Sequence, residues 1–303
     1  MVQIETYVFI DLETTGLPNL QNNETKITEL SMVAVSRTAL LSATRLALPR
    51  VINKFTKCLN PQRQIDQVSS KITGLTNDLL ENETAFNLNV FNTINSYLEL
   101  FQKPVCLIAQ NGHTFDFPIL KYHFELLNCA LPKDILCADS LYAFYDLGKD
   151  EPAFLPISNR ELASRKRPHD TVNDSSKEGT SGINHKRKFI ENVQNLDNQS
   201  NAPHSVQEQN EQIPNRAANP PRRIVRSIFY ENDPKPNMRF RLEDIYIRVL
   251  GVAAPEAHMA ENDCTMAIQI ANDYGQRFVD WVADNQMPFA EVKAMRKGAK
   301  LGF

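Results

Sequence analysis

From Pro156 to Arg223 the chain is rich in Asn, Gln, Ser, Pro and Arg, with few aromatics and no sustained apolar period. A stretch of that make-up cannot bury enough apolar surface to offset the entropy of ordering it. Any packed body must therefore be assembled from the two flanks. The expected organisation is a body split into residues 1–155 and 236–303 around a disordered basic and polar insertion at 156–235. Apolar residues make up 42% of the 303, enough for such a body. Charge is divided along the same line: Pro156 to Arg241 holds 15 basic and 10 acidic residues, and the rest holds 18 and 26. An acidic body suits nucleic acid only if its carboxylates hold cations and a basic segment grips phosphate.

The flanks carry clear periods. Tyr7–Leu12, Leu30–Val35 and Arg50–Thr56 read as three strands of a meander. Between Ala85 and Phe101, apolar residues at Phe86, Val90, Ile94, Leu98 and Phe101 fall at helical spacing. Val105–Ala109 reads as a buried strand, followed by a turn at Asn111-Gly112, a helix from Thr114 to Leu127, and a short strand at Ile135–Ala138. Helical pattern resumes near Leu242. It then runs from Glu261 as one stripe through Ala267, Ile270, Ala271, Tyr274, Phe278 and Trp281. The expected fold class is α/β, with a mixed central sheet of about five strands flanked by helices.

Certain polar residues sit where this pattern makes them costly or exposed. Asp11 and Glu13 lie two apart at the end of an apolar strand, so both project from one face. The turn Thr14-Thr15-Gly16-Leu17-Pro18 puts them at a strand's carboxyl end, where α/β sheets open their clefts. A solvated edge pair is the alternative. Asp116 opens a helix after the Asn-Gly turn, where the helix dipole favours its charge, although an ordinary helix-start aspartate reads the same way. Asp263 shares a stripe with Ala267, Ile270 and Tyr274, so a bound cation or an internal salt bridge is needed to hold its charge, and no Lys or Arg follows until Arg277. His258 precedes it by five residues as a candidate base or a structural histidine.

Taken together, these residues resemble the DnaQ-like (DEDDh) exonucleases, and within them the three-prime repair exonuclease (TREX) family. The resemblance runs through Phe9–Pro18, Ile72-Thr73-Gly74-Leu75, Asn111–Pro118, Ala138-Asp139-Ser140, His258 with Asp263, and Met287-Pro288-Phe289. It implies a ribonuclease H-like fold and a 3′→5′ exonuclease releasing nucleoside 5′-monophosphates from single-stranded DNA or frayed DNA 3′ ends, in DNA repair or degradation. It also implies two Mg²⁺ ions, with Mn²⁺ as a substitute, held by Asp11, Glu13, Asp116 and Asp263. One ion would activate water and the other would stabilise the leaving oxygen, with His258 as general base. The substrate-facing positions carried over are Thr14, Leu17, Ile72, Phe115, Gln110 and Asn111. Leu17, Ile72 and Phe115 form an apolar wedge, for which core packing is the alternative reading. The chain departs from the family at Gln110, where a His is usual, and at His113, where an acid is usual.

The related exonucleases also carry a mobile basic loop that contacts DNA, placed where this chain has Arg222, Arg223 and Arg226. A solvated charge run is the competing reading. Five scattered cysteines with no CxxC pair argue against structural zinc or disulfides and suit a reducing compartment. No signal sequence or apolar span is evident, so no membrane anchor is expected. The basic runs at 165–168 and 186–188 resemble import signals, giving cytoplasmic or nuclear location, or both. A homodimer through an edge strand such as Arg50–Thr56 is the family expectation. The alternatives are a 3′→5′ RNA exonuclease, since the same residues serve both chemistries, and an inactive nucleic-acid-binding scaffold.

Overall fold

The computed structural model describes residues 2–148 and 240–298, all within one compact unit. Arg222, Arg223 and Arg226, the basic runs and the expected insertion at 156–235 lie outside the described residues.

Strands β1 (Thr6–Thr14), β2 (Ile27–Ser36) and β3 (Val51–Cys58) form the expected antiparallel meander. Strands β4 (Val105–Ala109) and β5 (Leu136–Asp139) add in parallel on the other side of β1. A two-residue strand β6 (Met287–Pro288) closes the order β3-β2-β1-β4-β5-β6, so the sheet has six strands rather than about five. Two residues are too few to show an alternation. The strand exists because Met287 and Pro288 pair with β5, and the Phe289 amide donates to the Ile135 carbonyl at 2.8 Å.

The helices are α1 (Arg37–Ser42), α2 (Gln67–Thr73), α3 (Asn77–Leu80), α4 (Leu88–Glu99), α5 (Asp116–Leu126), α6 (Ser140–Gly148), α7 (Leu242–Leu250), α8 (Ala260–Tyr274) and α9 (Gln276–Asn285). Local chemistry sets their ends. Asn87 accepts the amides of Asn89 and Val90 and starts α4 three residues after the periodicity does. Asp66 caps α2, and Gly74 ends it at φ +74°. The stripe expected to run unbroken to Trp281 is two helices, because Gly275 at φ 54°, ψ −123° takes a backbone conformation that side-chain-bearing residues avoid. Apolar spacing alone does not register such a break.

Alternation along β1 divides the core. Val8, Ile10 and Leu12 face a cluster with Phe91, Ile94, Leu98, Phe117 and Phe124 of α4 and α5. Tyr7 and Phe9 face the other, built with Phe144 of α6, Ile245 of α7, Ile268 of α8 and Phe278 of α9. Phe278 is fully buried, with its ring centroid 6.2 Å from both the Tyr7 and Phe9 rings. Burial of a side chain that size stabilises by roughly 1.5–3 kcal/mol. Residues distant in sequence thus cover opposite faces of one strand. The odd-numbered face of β1, the face of Asp11 and Glu13, is covered largely by the later residues.

Candidate active site

The parallel pairing of β1 with β4 ends at Phe9 opposite Ile108, while antiparallel pairing with β2 continues to Thr14. Asp11 and Glu13 lie on the free stretch, each partly buried, with Leu12 and Thr14 buried between and after them. The register slips between Glu13 and Thr14, an irregularity of the type that re-aims side chains at sheet rims. Glu13 sits directly across from Glu29 on β2.

Asp116 begins α5 and is 2% exposed. Its Oδ1 accepts the Leu12 amide at 3.2 Å, which ties it to β1 between Asp11 and Glu13. Burial pushes its pKa well up, the neighbouring Asp139 charge pushes it further, and Asp263 adds to the effect. The turn before it leaves no slack. A side chain at Gly112 would come within 2.7 Å of both Ala109 Cβ and the buried Phe117 ring. Asn111 takes φ 63°, which asparagine tolerates better than most residues.

Asp139 holds that turn from beneath. Its carboxylate accepts the amides of Asn111 at 2.9 Å, His113 at 3.1 Å and Leu141 at 3.0 Å, with the residue 1% exposed. Burial raises its pKa, and those amides oppose the rise. Sequence reasoning noted Asp139 within a motif and gave it no role. Its partners are backbone groups, which leave no trace in the residue types.

His258 and Asp263 approach from the other side. Met259, the residue that caps α8, makes no side-chain cap bond, and the Ala260 amide instead donates to Glu29 Oε2 at 3.0 Å. That bond docks the start of α8 onto β2. One donor atom each from Glu13, His258 and Asp263 then lies within 4.8 Å of the others. Ligand oxygens around a Mg²⁺ ion at ~2.1 Å stand within about 4 Å of one another, so this group is close to a binding geometry. Asp11 and Asp116 are not in that group of three, but both, with Asp263, raise the pKa of the buried Cys264 thiol after burial itself. The charges therefore share one neighbourhood.

Two expectations change. Asp263 belongs to the stripe of Ala267, Ile270 and Tyr274, all buried, yet is itself only partly buried. It stands in the first turn, at the open end of the stripe, and periodicity carries no information about where the covering layer stops. His258, expected as a base apart from the ligands, lies among their donor atoms. Its backbone is at φ 77°, in the left-handed region, and its Nε2 is 3.4 Å from Glu243 Oε1.

The carried-over substrate positions separate. Phe115 packs against the core cluster of α4 and α5, in line with the packing alternative, whereas Leu17 and Ile72 are partly exposed and belong to neither large cluster. Thr14 is buried, its hydroxyl donating to the Gly16 carbonyl at 3.1 Å. Asn111 is exposed. Gln110 uses both ends of its amide inside the protein, accepting the Ser140 hydroxyl at 2.9 Å and donating to the Phe240 carbonyl at 3.4 Å. His113 is buried edge-on to Phe117 at 5.5 Å. Both departures from the family pattern are thus absorbed into packing.

The family described as Exonuclease matches residues 8–176. Three prime repair exonuclease 2 of Mus musculus is 40% identical over 152 residues, which is 48% of this chain and 63% of that protein. The match therefore spans less than two thirds of the relative. Three-prime repair exonuclease 1 of Bos taurus is 27% identical over 303 residues, covering 96% of this chain and 70% of that protein. Among solved structures, the zinc-bound complex of Escherichia coli exonuclease I with single-stranded DNA superposes with a TM-score of 0.50 at 15% identity. It covers 93% of this chain and 43% of that one, a likeness of fold, and the fold is ribonuclease H-like. The chain belongs to the exonuclease family, with three-prime repair exonucleases among its relatives.

Proposed function

We propose that this protein is a metal-dependent 3′→5′ DNA exonuclease that removes nucleoside 5′-monophosphates from single-stranded or frayed 3′ ends. The observation that carries the reading is the meeting of Glu13, His258 and Asp263 donor atoms within 4.8 Å, at the point where β1 parts from β4. The donors fit hard divalent cations. Two of the three are carboxylate oxygens, from Glu13 and Asp263, and the neighbouring Asp116 carboxylate is buried in a repulsive field that a cation relieves. Asp11, Glu13, Asp116 and Asp263 would hold two Mg²⁺ ions, with Mn²⁺ as a substitute. Bound there, the ions supply positive charge to the scissile phosphate and to the oxygens that gain charge during displacement.

The chain's own groups do the rest. Asp116, anchored to the Leu12 amide, fixes the position of α5 against β1. Glu29 fixes the start of α8, so that Asp263 faces Glu13. His258 takes a proton from the attacking water. Leu17 and Ile72, partly exposed outside the two large clusters, offer apolar surface to the terminal nucleotides. The exonuclease body comprises residues 1–155 and 236–303, with residues 156–235 as a basic insertion whose Arg222, Arg223 and Arg226 grip the phosphate backbone. The pairing of two copies uses the sheet edge at β3, which lies at one end of the strand order. No described helix is long and apolar enough to cross a membrane, and the proposed location is cytoplasmic, nuclear or both.

The test compares the protein with its Asp263→Ala variant on 3′-tailed DNA and RNA of matched sequence, with Mg²⁺ and with chelator. Shortening of DNA that needs Mg²⁺, and that falls about a thousandfold or more in the variant, is expected. Equal inertness of both proteins refutes the reading, and faster loss of RNA transfers it to an RNA exonuclease.

A further inference from the structure

We infer that Glu243 is the positioning residue for His258, setting the orientation and tautomer of the imidazole; this rests on His258 acting as the base. The two side chains come from separate elements. Glu243 lies in the first turn of α7, a helix seated by buried Leu242, Ile245, Tyr246, Val249 and Leu250. His258 lies on the segment between α7 and α8, where Gly251, Val252, Ala253, Pro255 and Glu256 are all exposed. A base on so lightly packed a segment needs a fixed partner if it is to face a reacting water reproducibly.

Its backbone adds to that need. His258 sits at φ 77°, a conformation a non-glycine residue keeps when its surroundings hold it there. The main chain just beyond is held by the bond from Ala260 to Glu29. The side chain meets Glu243 Oε1 at 3.4 Å from Nε2, with only 20% of the His258 side chain and 26% of the Glu243 side chain exposed. Such contacts are commonly longer before substrate binds than in the loaded complex.

Glu243 stands outside the group formed by Glu13, His258 and Asp263. Its carboxylate meets the imidazole at Nε2. Facing Nε2, it holds the proton on that nitrogen and leaves the lone pair on Nδ1, the tautomer in which Nδ1 accepts a proton.

The experiment is a double-mutant cycle on full-length protein, with kcat and KM measured on a 3′-tailed oligonucleotide in Mg²⁺. Glu243→Ala is expected to lower kcat about 10–100-fold with KM little changed. Glu243→Gln, which keeps an acceptor oxygen, should fall between the wild type and Glu243→Ala, and supplies the measurement if Glu243→Ala does not fold. In a His258→Ala background, Glu243→Ala should cost nothing further, because there is no imidazole left to orient. Losses that multiply in the double variant overturn the inference, as does an unimpaired Glu243→Ala beside an impaired His258→Ala. If His258→Ala alone keeps the wild-type kcat, the assignment of the base has failed instead, and the inference falls with it.

Discussion

The two sides of the candidate site are held in opposite ways. Asp116 is 2% exposed, its turn is secured by two amides on Asp139, and Gly112 in that turn leaves no room for a methyl group. His258 and Asp263 are partly exposed and follow an open segment, secured by the carboxylates of Glu29 and Glu243. One side is a buried shelf, and the other is a helix start that follows an exposed segment. A hydrolase needs both kinds of support. Charges that must tolerate mutual repulsion need a rigid frame, whereas a base that exchanges protons with water must stay within reach of solvent.

Perturbing the shelf should unfold the protein, and perturbing the helix start should slow it. The largest effect is expected from Asp139→Ala. It leaves two buried amides, of His113 and Leu141, and the part-buried amide of Asn111 without their acceptor, and at about 1–3 kcal/mol for each buried amide the loss should reach about 3 kcal/mol, read as the shift in a denaturant midpoint. A variant as stable as wild type would show that the turn is held by something other than Asp139.

Next comes His123, on the shelf side within α5. Its Nδ1 lies 2.9 Å from the Ile119 carbonyl, and its buried Nε2 has no hydrogen-bond partner among the described residues. Burial lowers its pKa from 6.5 to about 4. The unfolded chain therefore binds more protons between those values, so the contribution is complete above pH 6.5 and is lost as pH falls to 4. The raised pKa values of Asp116 and Asp139 act in the other direction, with stability lost as pH rises through their folded values. Comparison with His123→Phe isolates the histidine. Between pH 7 and pH 4, wild type should lose about 3 kcal/mol more than the variant, and parallel pH profiles would remove His123 from the account.

The smallest change in stability is expected from Glu29→Ala. Loss of an amide acceptor at a helix start costs about 0.5–2 kcal/mol. Its effect on rate should be larger than its effect on melting temperature, because Asp263 shifts with the helix. A rate unchanged within twofold would mean that α8 is seated by its apolar face alone.

Much of this was legible from residue types. Tyr7–Leu12 reads as a strand whose final acids share a face because the period of two leaves no other outcome. The Asn111-Gly112 turn followed by an acid marks the start of α5 almost to the residue. What escaped depends on partners far away in sequence. Glu29 acts because strand register places it opposite Glu13, Asp139 acts through backbone amides, and Glu243 acts across a segment between two helices. The half-buried state of Asp263 and the break at Gly275 escaped for a related reason. Helical spacing reports which face a residue is on, and carries nothing about where the facing layer ends or where a backbone turns.

The seating of Phe278 between Tyr7 and Phe9 has a consequence for how this chain is made. A ribosome delivers Asp11, Glu13 and Asp116 long before Asp263 and His258 emerge, and with them a sheet whose odd-numbered face still lacks α7, α8 and α9. Until that late portion arrives, the nascent chain exposes Tyr7 and Phe9 and lacks part of the proposed site. Completion of the sheet's cover and assembly of the proposed site therefore fall at the same moment of synthesis.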